Sequence, residues 1–330
     1  MNKLWLIAGG PALVYAGLAI IMGVLPGIAL SQTPPGIGVK PLTPIEAEGR
    51  AIYAANGCGY CHTQQVRPLA QDKVFGRPSA PGDFAYQTPE LLGSERTGPD
   101  LTDIGTRQPS AVWQYMHLYN PRSVAPQSIM PSFSWMFDVV DKAPVGTMTV
   151  PVPAAYAPAE GVVIPSHQAQ ALLAYLMSLK QPPLAQAVAN EAATPAAPAA
   201  TAPSPTASSS TTPAKSAAAY DPAKGKSLFT DKCAICHQAG GTGLPGAFPP
   251  LKGNAVVNDA NPSAHIHTVL HGAEGLTIGG VKYEGAMPEF ASTLTDAEIA
   301  AIIDYERSSW GNHSPTITAA QVAAERAKGK

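Results

Sequence analysis

All four cysteines of the chain fall in two copies of one pattern, CxxCH, as GCGYCHT at 57–63 and KCAICHQ at 232–238. Three ordinary readings of paired cysteines compete: a disulfide framework, a thioredoxin-like redox pair and a zinc knuckle. A disulfide framework does not require His after the second Cys in both copies. A thioredoxin-like pair needs a βαβ context, whereas both flanks here read as helix broken by Gly and Pro loops. A zinc site needs four ligands brought together, and a long Pro- and Ala-rich stretch separates the two pairs. The spacing fits covalent attachment of haem c. Two residues between the cysteines let both thiols reach the vinyl groups on one porphyrin edge, and the next imidazole turns under the ring to meet iron. The expectation is two covalently bound haem c groups, one on Cys58, Cys61 and His62, the other on Cys233, Cys236 and His237.

Only 13% of the 330 residues are charged, about half of the ~25% usual for globular chains. With 34 Pro and 30 Gly, the chain should hold two small domains plus non-globular sequence. A net charge of −2 without long charged runs leaves no basic stripe for nucleic acid. From Leu4 to Leu30 no residue is charged, enough to cross a bilayer that needs ~20 helical residues. Ala29-Leu30-Ser31 offers a signal-peptidase-like site, but the apolar run exceeds the roughly 7–15 residues of a signal h-region. A retained anchor over 1–32 is expected, kinked or closely packed at Pro11 and Pro26. Lys3 keeps the N-terminus inside and places both haem motifs outside.

A second break runs from Gln181 to Ala219, with almost no large apolar side chain after Val188. It cannot bury a core and reads as a disordered Pro/Ala/Ser linker between domains at 33–180 and 220–330. The two sides form a degenerate repeat. Thr43-Pro44-Ile45-Glu46 and Asp221-Pro222 each open a helix that runs into CxxCH, and Gly49 with Tyr53 matches Gly225 with Phe229. Each side closes on an amphipathic helix, striped by Leu172, Leu173, Leu176 and Leu179, or by Ile299, Ile302 and Ile303. The second of these starts at a Thr295–Glu298 capping box and is expected to run to Gly311.

This arrangement resembles class I cytochrome c, which implies a mainly α fold of crossing terminal helices around an apolar haem crevice. The resemblance implies a sixth ligand from a loop before the last helix, often Met followed by Pro. Met130 in SIMPSF and Met287 in GAMPEF fit; Met116, Met136, Met148 and His117 compete with Met130. It also implies that the carbonyls of Pro99 in GPDL and Pro249 in PPLK accept the ring N–H of His62 and His237. A His/Met iron has no open site and passes electrons, so no catalytic site is expected on the chain itself. The competing class is a dihaem peroxidase, for which His117, His265, His267 or His271 would supply acid–base or bis-His chemistry.

In residues 1–180, CHTQQVRP, GSERTGPDLTDIG and HLYNPRSVAPQSIMPSF resemble the membrane-anchored mono-haem subunit, FixO or CcoO, of cbb3-type haem-copper oxidases. That implies a bacterial inner-membrane protein with periplasmic haem domains, docked on an oxidase catalytic subunit and fed by a soluble cytochrome c or similar donor. Arg67 and Arg96 become candidates for haem propionates. Residues 220–330, with GLPGAFPPLKGN and YERSSWGNHSPTITAAQVAAERA, resemble cytochrome domains of quinohaemoprotein alcohol dehydrogenases. An electron-accepting subunit of a membrane dehydrogenase is therefore the alternative.

Overall fold

The computed structural model describes residues 3–181 and 221–329. The linker expected at 181–219 lies outside them, apart from Gln181. The architecture is mainly helical. An apolar rod comes first: α1 (Leu4–Ala19), a π-helical turn (Ile20–Val24) and α2 (Leu25–Ser31). The wide turn ends two residues before Pro26, which has no N–H to give to the carbonyl four residues back and whose ring crowds it. Tyr15, Ile21 and Met22 are exposed along the rod, and Ala8–Ala29 is long and apolar enough to cross a membrane.

The described residues divide into two compact units, 3–104 with 178–181 and 105–177 with 221–329. The division runs inside the 33–180 segment. In the first unit, α3 (Pro44–Ala55) starts at the expected capping box, Thr43 N–H donating to Glu46 Oε2 at 2.7 Å. It buries Gly49 and Tyr53 and leads into a 3₁₀ turn over Cys58–Tyr60.

The second unit holds α4 (Ile104–Arg107, whose first residue belongs to the first unit), α5 (Ala111–Tyr119), β1 (Phe137–Val140), β2 (Val162–Pro165) and α6 (His167–Ser178, whose last residue belongs to the first unit). An antiparallel β1–β2 pair, Phe137 opposite Pro165 and Val140 opposite Val162, adds a short ribbon to the mainly α fold. Its valines and Ile164 suit a pleated surface, and Phe137 meets Tyr115 and Tyr119 of α5 edge-on. Leu172, Leu173, Leu176 and Leu179 are all buried, as their spacing predicts.

The C-terminal residues of that unit form α7 (Pro222–Lys232), α8 (Ala234–His237), α9 (Ser263–His271), a β3–β4 ribbon (Thr277–Ile278, Val281–Lys282), α10 (Asp296–Ser308) and α11 (Ala319–Lys328). Asp221 caps α7 by accepting from Ala223 and Lys224 N–H. Thr295 and Glu298 form the capping box of α10, whose Ile299, Ile302 and Ile303 are at most 1% exposed. Helix α7 packs on α10, and α11 covers α9 and α10. α10 stops at Ser308, short of Gly311. Trp310 takes a left-handed φ of 56°, which turns its indole onto Phe229 and Tyr305 and lets Nε1 donate to the Ala239 carbonyl.

Candidate functional site

The C-terminal crevice is built from the α7–α10 crossing. At Gly225 a Cβ would sit 2.4 Å from the Ala301 carbonyl oxygen, so only glycine lets the two helices approach this closely. One turn on, fully buried Phe229 meets the Tyr305 and Trp310 rings, with centroids 5.3 and 5.0 Å away. The crossing fixes where α7 ends, and therefore where CxxCH begins. Cys236 and His237 N–H both bond back to the Cys233 carbonyl, wrapping the motif into one turn.

His237 lies inside, 8% exposed, with Nδ1 3.0 Å from the Pro249 carbonyl. A carbonyl only accepts, so Nδ1 carries the proton and Nε2 keeps the lone pair that a ligand atom needs. Burial lowers the His237 pKa, which keeps the ring neutral, as a ligand must be. Met287 is pinned by a two-way backbone bridge to Ala273, at 2.7 and 3.2 Å. Gly272, at φ +72°, allows this, because a Cβ there would lie 2.4 Å from the Met287 carbonyl oxygen.

His237, Met287, Cys233 and Cys236 all line one cavity of about 990 Å³ counted out to its open mouth. Phe248, Leu251, Val257, Val269 and Leu276 make most of the remaining wall apolar. Soft and imidazole donors, two thiols and an apolar slot are what haem c requires.

The other cysteine readings do not match this geometry. The four cysteines are free. Burial pushes the thiols up, Cys58 to about 11, Cys236 to about 12 and Cys233 well above its ordinary value, whereas a redox pair needs a depressed pKa. Among the described residues no three His, Cys, Asp or Glu side chains gather as a metal cage.

In the first unit His62 repeats the pattern: buried, its Nδ1 2.8 Å from the Pro99 carbonyl, its pKa lowered by burial. The GPDL loop is tied to CHTQ by Gly98 N–H to the Cys61 carbonyl and Leu101 N–H to the Thr63 carbonyl, both 2.8 Å. A Cβ at Gly98 would fall 2.2 Å from His62 Cε1. Asp100 completes the tie, accepting from Thr63 Oγ1 at 2.6 Å, Gln65 N–H and Thr102 N–H.

Arg67 and Arg96 are engaged within this unit. Arg67 forks onto Asp72, Nε and Nη2 both at 3.0 Å. Arg96 reaches Asp72 at 2.6 Å, Thr63 Oγ1 and the Gln65 carbonyl, over the Phe75 ring. The hydrogen bonds from Arg67 and then Arg96 hold the Asp72 carboxyl well below the usual carboxylate range.

Met130 is half-buried in a loop of the second unit, its N–H on Ser128 Oγ. Met116 and Met136, by contrast, fill core at 1% exposure, and His117 stacks on Trp113. The His267 and His271 rings lie 4.6 Å apart, but neither lines the C-terminal cavity. His265 does, together with Glu306. Sequence reasoning missed Glu306, although it continues the stripe of Ile299, Ile302 and Ile303, where a charge is the signal to notice. It missed Asp72 and Gly98 as well, whose roles depend on loop geometry.

These features define a c-type cytochrome. The chain belongs to the cytochrome c family: residues 222–310 match its model, and cytochrome c-552 of Thermus thermophilus is 36% identical over 115 residues, 32% of this chain and 86% of that protein. More particularly, residues 6–150 match the model of the cytochrome c oxidase mono-haem subunit FixO. The cytochrome c subunit of a quinone-linked alcohol dehydrogenase from Gluconacetobacter polyoxogenes is 37% identical over 106 residues, 32% of this chain and 23% of that subunit. The cbb3-type oxidase subunit FixP of Azorhizobium caulinodans is 36% identical over 103 residues, 31% of this chain and 34% of that protein. The chain thus spans about a quarter of the dehydrogenase subunit's length.

Proposed function

We propose that the chain is a membrane-anchored dihaem cytochrome c that feeds electrons to the catalytic subunit of a cbb3-like haem-copper oxidase. The observation that carries this reading is the order of parts: an anchor and a FixO-like segment over 6–150, with a second complete CxxCH crevice behind them. When bound, haem c supplies a one-electron Fe(III)/Fe(II) couple. Cys58 and Cys61, and Cys233 and Cys236, provide the thioether sulfurs. His62 with Met130, and His237 with Met287, provide the axial atoms, and the Pro99 and Pro249 carbonyls orient the imidazoles. Arg67 and Arg96 are the candidates for the haem propionates; Asp72 holds both guanidinium groups in place, and Arg96 also reaches Asp100 of the GPDL loop.

The N-terminus lies in the cytoplasm and both haem domains in the periplasm of a bacterial inner membrane. A soluble cytochrome c or similar donor delivers electrons to the C-terminal domain, which the 181–219 segment keeps at high local concentration near the first. Mild-detergent purification of the tagged chain from native membranes, with subunit identification and cyanide-sensitive oxygen uptake, tests this. A haem-copper subunit with uptake is expected. The dehydrogenase relatives of the C-terminal domain favour a second reading, and recovery with a dehydrogenase and no uptake would establish it.

A further inference from the structure

The wall of the C-terminal cavity holds one buried His–Glu pair that neither haem attachment nor axial ligation uses. His265 on α9 and Glu306 on α10 are 4% and 3% exposed, and Nε2 stands 2.8 Å from Glu306 Oε2. Both side chains line the cavity that contains His237 and Met287. A carboxylate in such a place is costly unless something there uses it.

The hydrogen bonding fits one tautomer of His265. His265 Nδ1 is buried without a partner among the described residues. An imidazolium would carry an N–H there and leave it unmet, whereas a neutral ring with its proton on Nε2 donates to Glu306 and leaves only a lone pair at Nδ1. In that arrangement His265 donates to Glu306 Oε2 and fixes the carboxyl group in the apolar wall of the cavity.

The charged neighbours of Glu306 on α10 are engaged elsewhere. Arg307, next on α10, turns to the carbonyls of Val257, Asp259 and Pro315. Asp304 accepts from Ile317 N–H. From α7 and α8 the cavity receives Lys232, Cys233 and His237; Lys232 is half-buried and is the lining's cation.

We propose that Glu306, positioned by His265, lowers the reduction potential of the C-terminal centre below that of the same crevice with a neutral wall. This rests on the reading of Cys233, Cys236, His237 and Met287 as a haem site. The oxidised iron carries one positive charge more than the reduced iron, so a carboxylate nearby in a medium of low dielectric favours the oxidised form. One electron is taken up, and Glu306 and His265 keep their protons as they are.

The test is a spectroelectrochemical titration of the full-length chain in detergent at pH 7, wild type against E306Q. C233A/C236A, which lacks the second attachment, assigns the two potentials. E306Q is expected to raise the C-terminal potential by at least a tenfold change in the reduced-to-oxidised ratio, 59 mV for one electron, with the other centre unmoved. E306D is expected to restore most of the shift. Should E306Q fold poorly, H265L/E306L, an apolar replacement of the whole pair, carries the same expectation. A C-terminal potential that stays or falls in both variants overturns the proposal. Haem counting separates this from failure of the underlying reading: one haem per wild-type chain, unchanged in C233A/C236A, overturns the site assignment itself.

Discussion

Gly225→Ala separates two causes of helix stability by sign. Inside an isolated helix the change is favourable, because alanine exceeds glycine by about 1 kcal/mol. At the α7–α10 crossing the added Cβ would lie 2.4 Å from the Ala301 carbonyl oxygen and 3.0 Å from Tyr305 Cβ. The nearer contact is backbone, which moves only if α10 moves, and α10 also carries the fully buried Ile299 and Ile303. Overpacking of this kind costs about 1–3 kcal/mol, and against a helix backbone the upper part of that range applies. The net expectation is a loss of about 1–2 kcal/mol. For a domain of this size that lowers the melting temperature by about 5–15 °C. The assay is thermal unfolding of the full-length chain in detergent, followed by haem absorbance in a C58A/C61A background so that only the C-terminal centre reports. Lys226→Ala, exposed on the same helix, is the control and should stay within about 0.5 kcal/mol of the parent. An unchanged or higher melting temperature for Gly225→Ala would mean that the close crossing does not hold the domain together.

Further expectations concern the other parts. The Asp72 pKa is depressed by Arg67 and Arg96, so its contribution to stability is present above the ordinary carboxylate pKa near 4 and is lost as the pH falls from there toward its folded value. Asp72→Asn should therefore melt below wild type at pH 7, and the gap should close as the pH falls below about 4, as a thermal melt at each pH would show. Met287→His should keep two haems by mass while lowering the C-terminal potential, because thioether ligation raises it. An unchanged potential would move the sixth ligand elsewhere. Removing residues 181–330 should slow electron entry from a soluble donor in stopped-flow reduction while the complex still assembles. Loss of assembly would count against the division of labour between the two domains.

Much of this was legible because the determinants are local. Capping at Thr43, Asp221 and Thr295 involves residues at most three apart, and the Leu and Ile stripes follow the helical period. The proline partners of His62 and His237 were reachable once the motif named the class, since a haem crevice asks for them, whereas the bridge from Ala273 that pins Met287 was not. What escaped depends on approach between distant segments. The β1–β2 pair joins Phe137 to Pro165 across a long loop, and nothing in either stretch announces its partner. Arg67 and Arg96 read as free guanidinium groups until the fold brings Asp72 between them. The end of α10 at Ser308 is set by where Trp310 finds Phe229, a contact that outweighs the glycine signal at 311.

The imidazole latch occurs twice at very different loop lengths. His62 reaches a carbonyl 37 residues away, and His237 one only 12 away, with ring-to-oxygen distances of 2.8 and 3.0 Å. Closing the longer loop costs only about 1 kcal/mol more in chain entropy, because the cost grows with the logarithm of length. The stretch between motif and proline is therefore a nearly free slot. Sequence can be added there, as the Asp72-centred loop shows, while the hold on the imidazole stays the same.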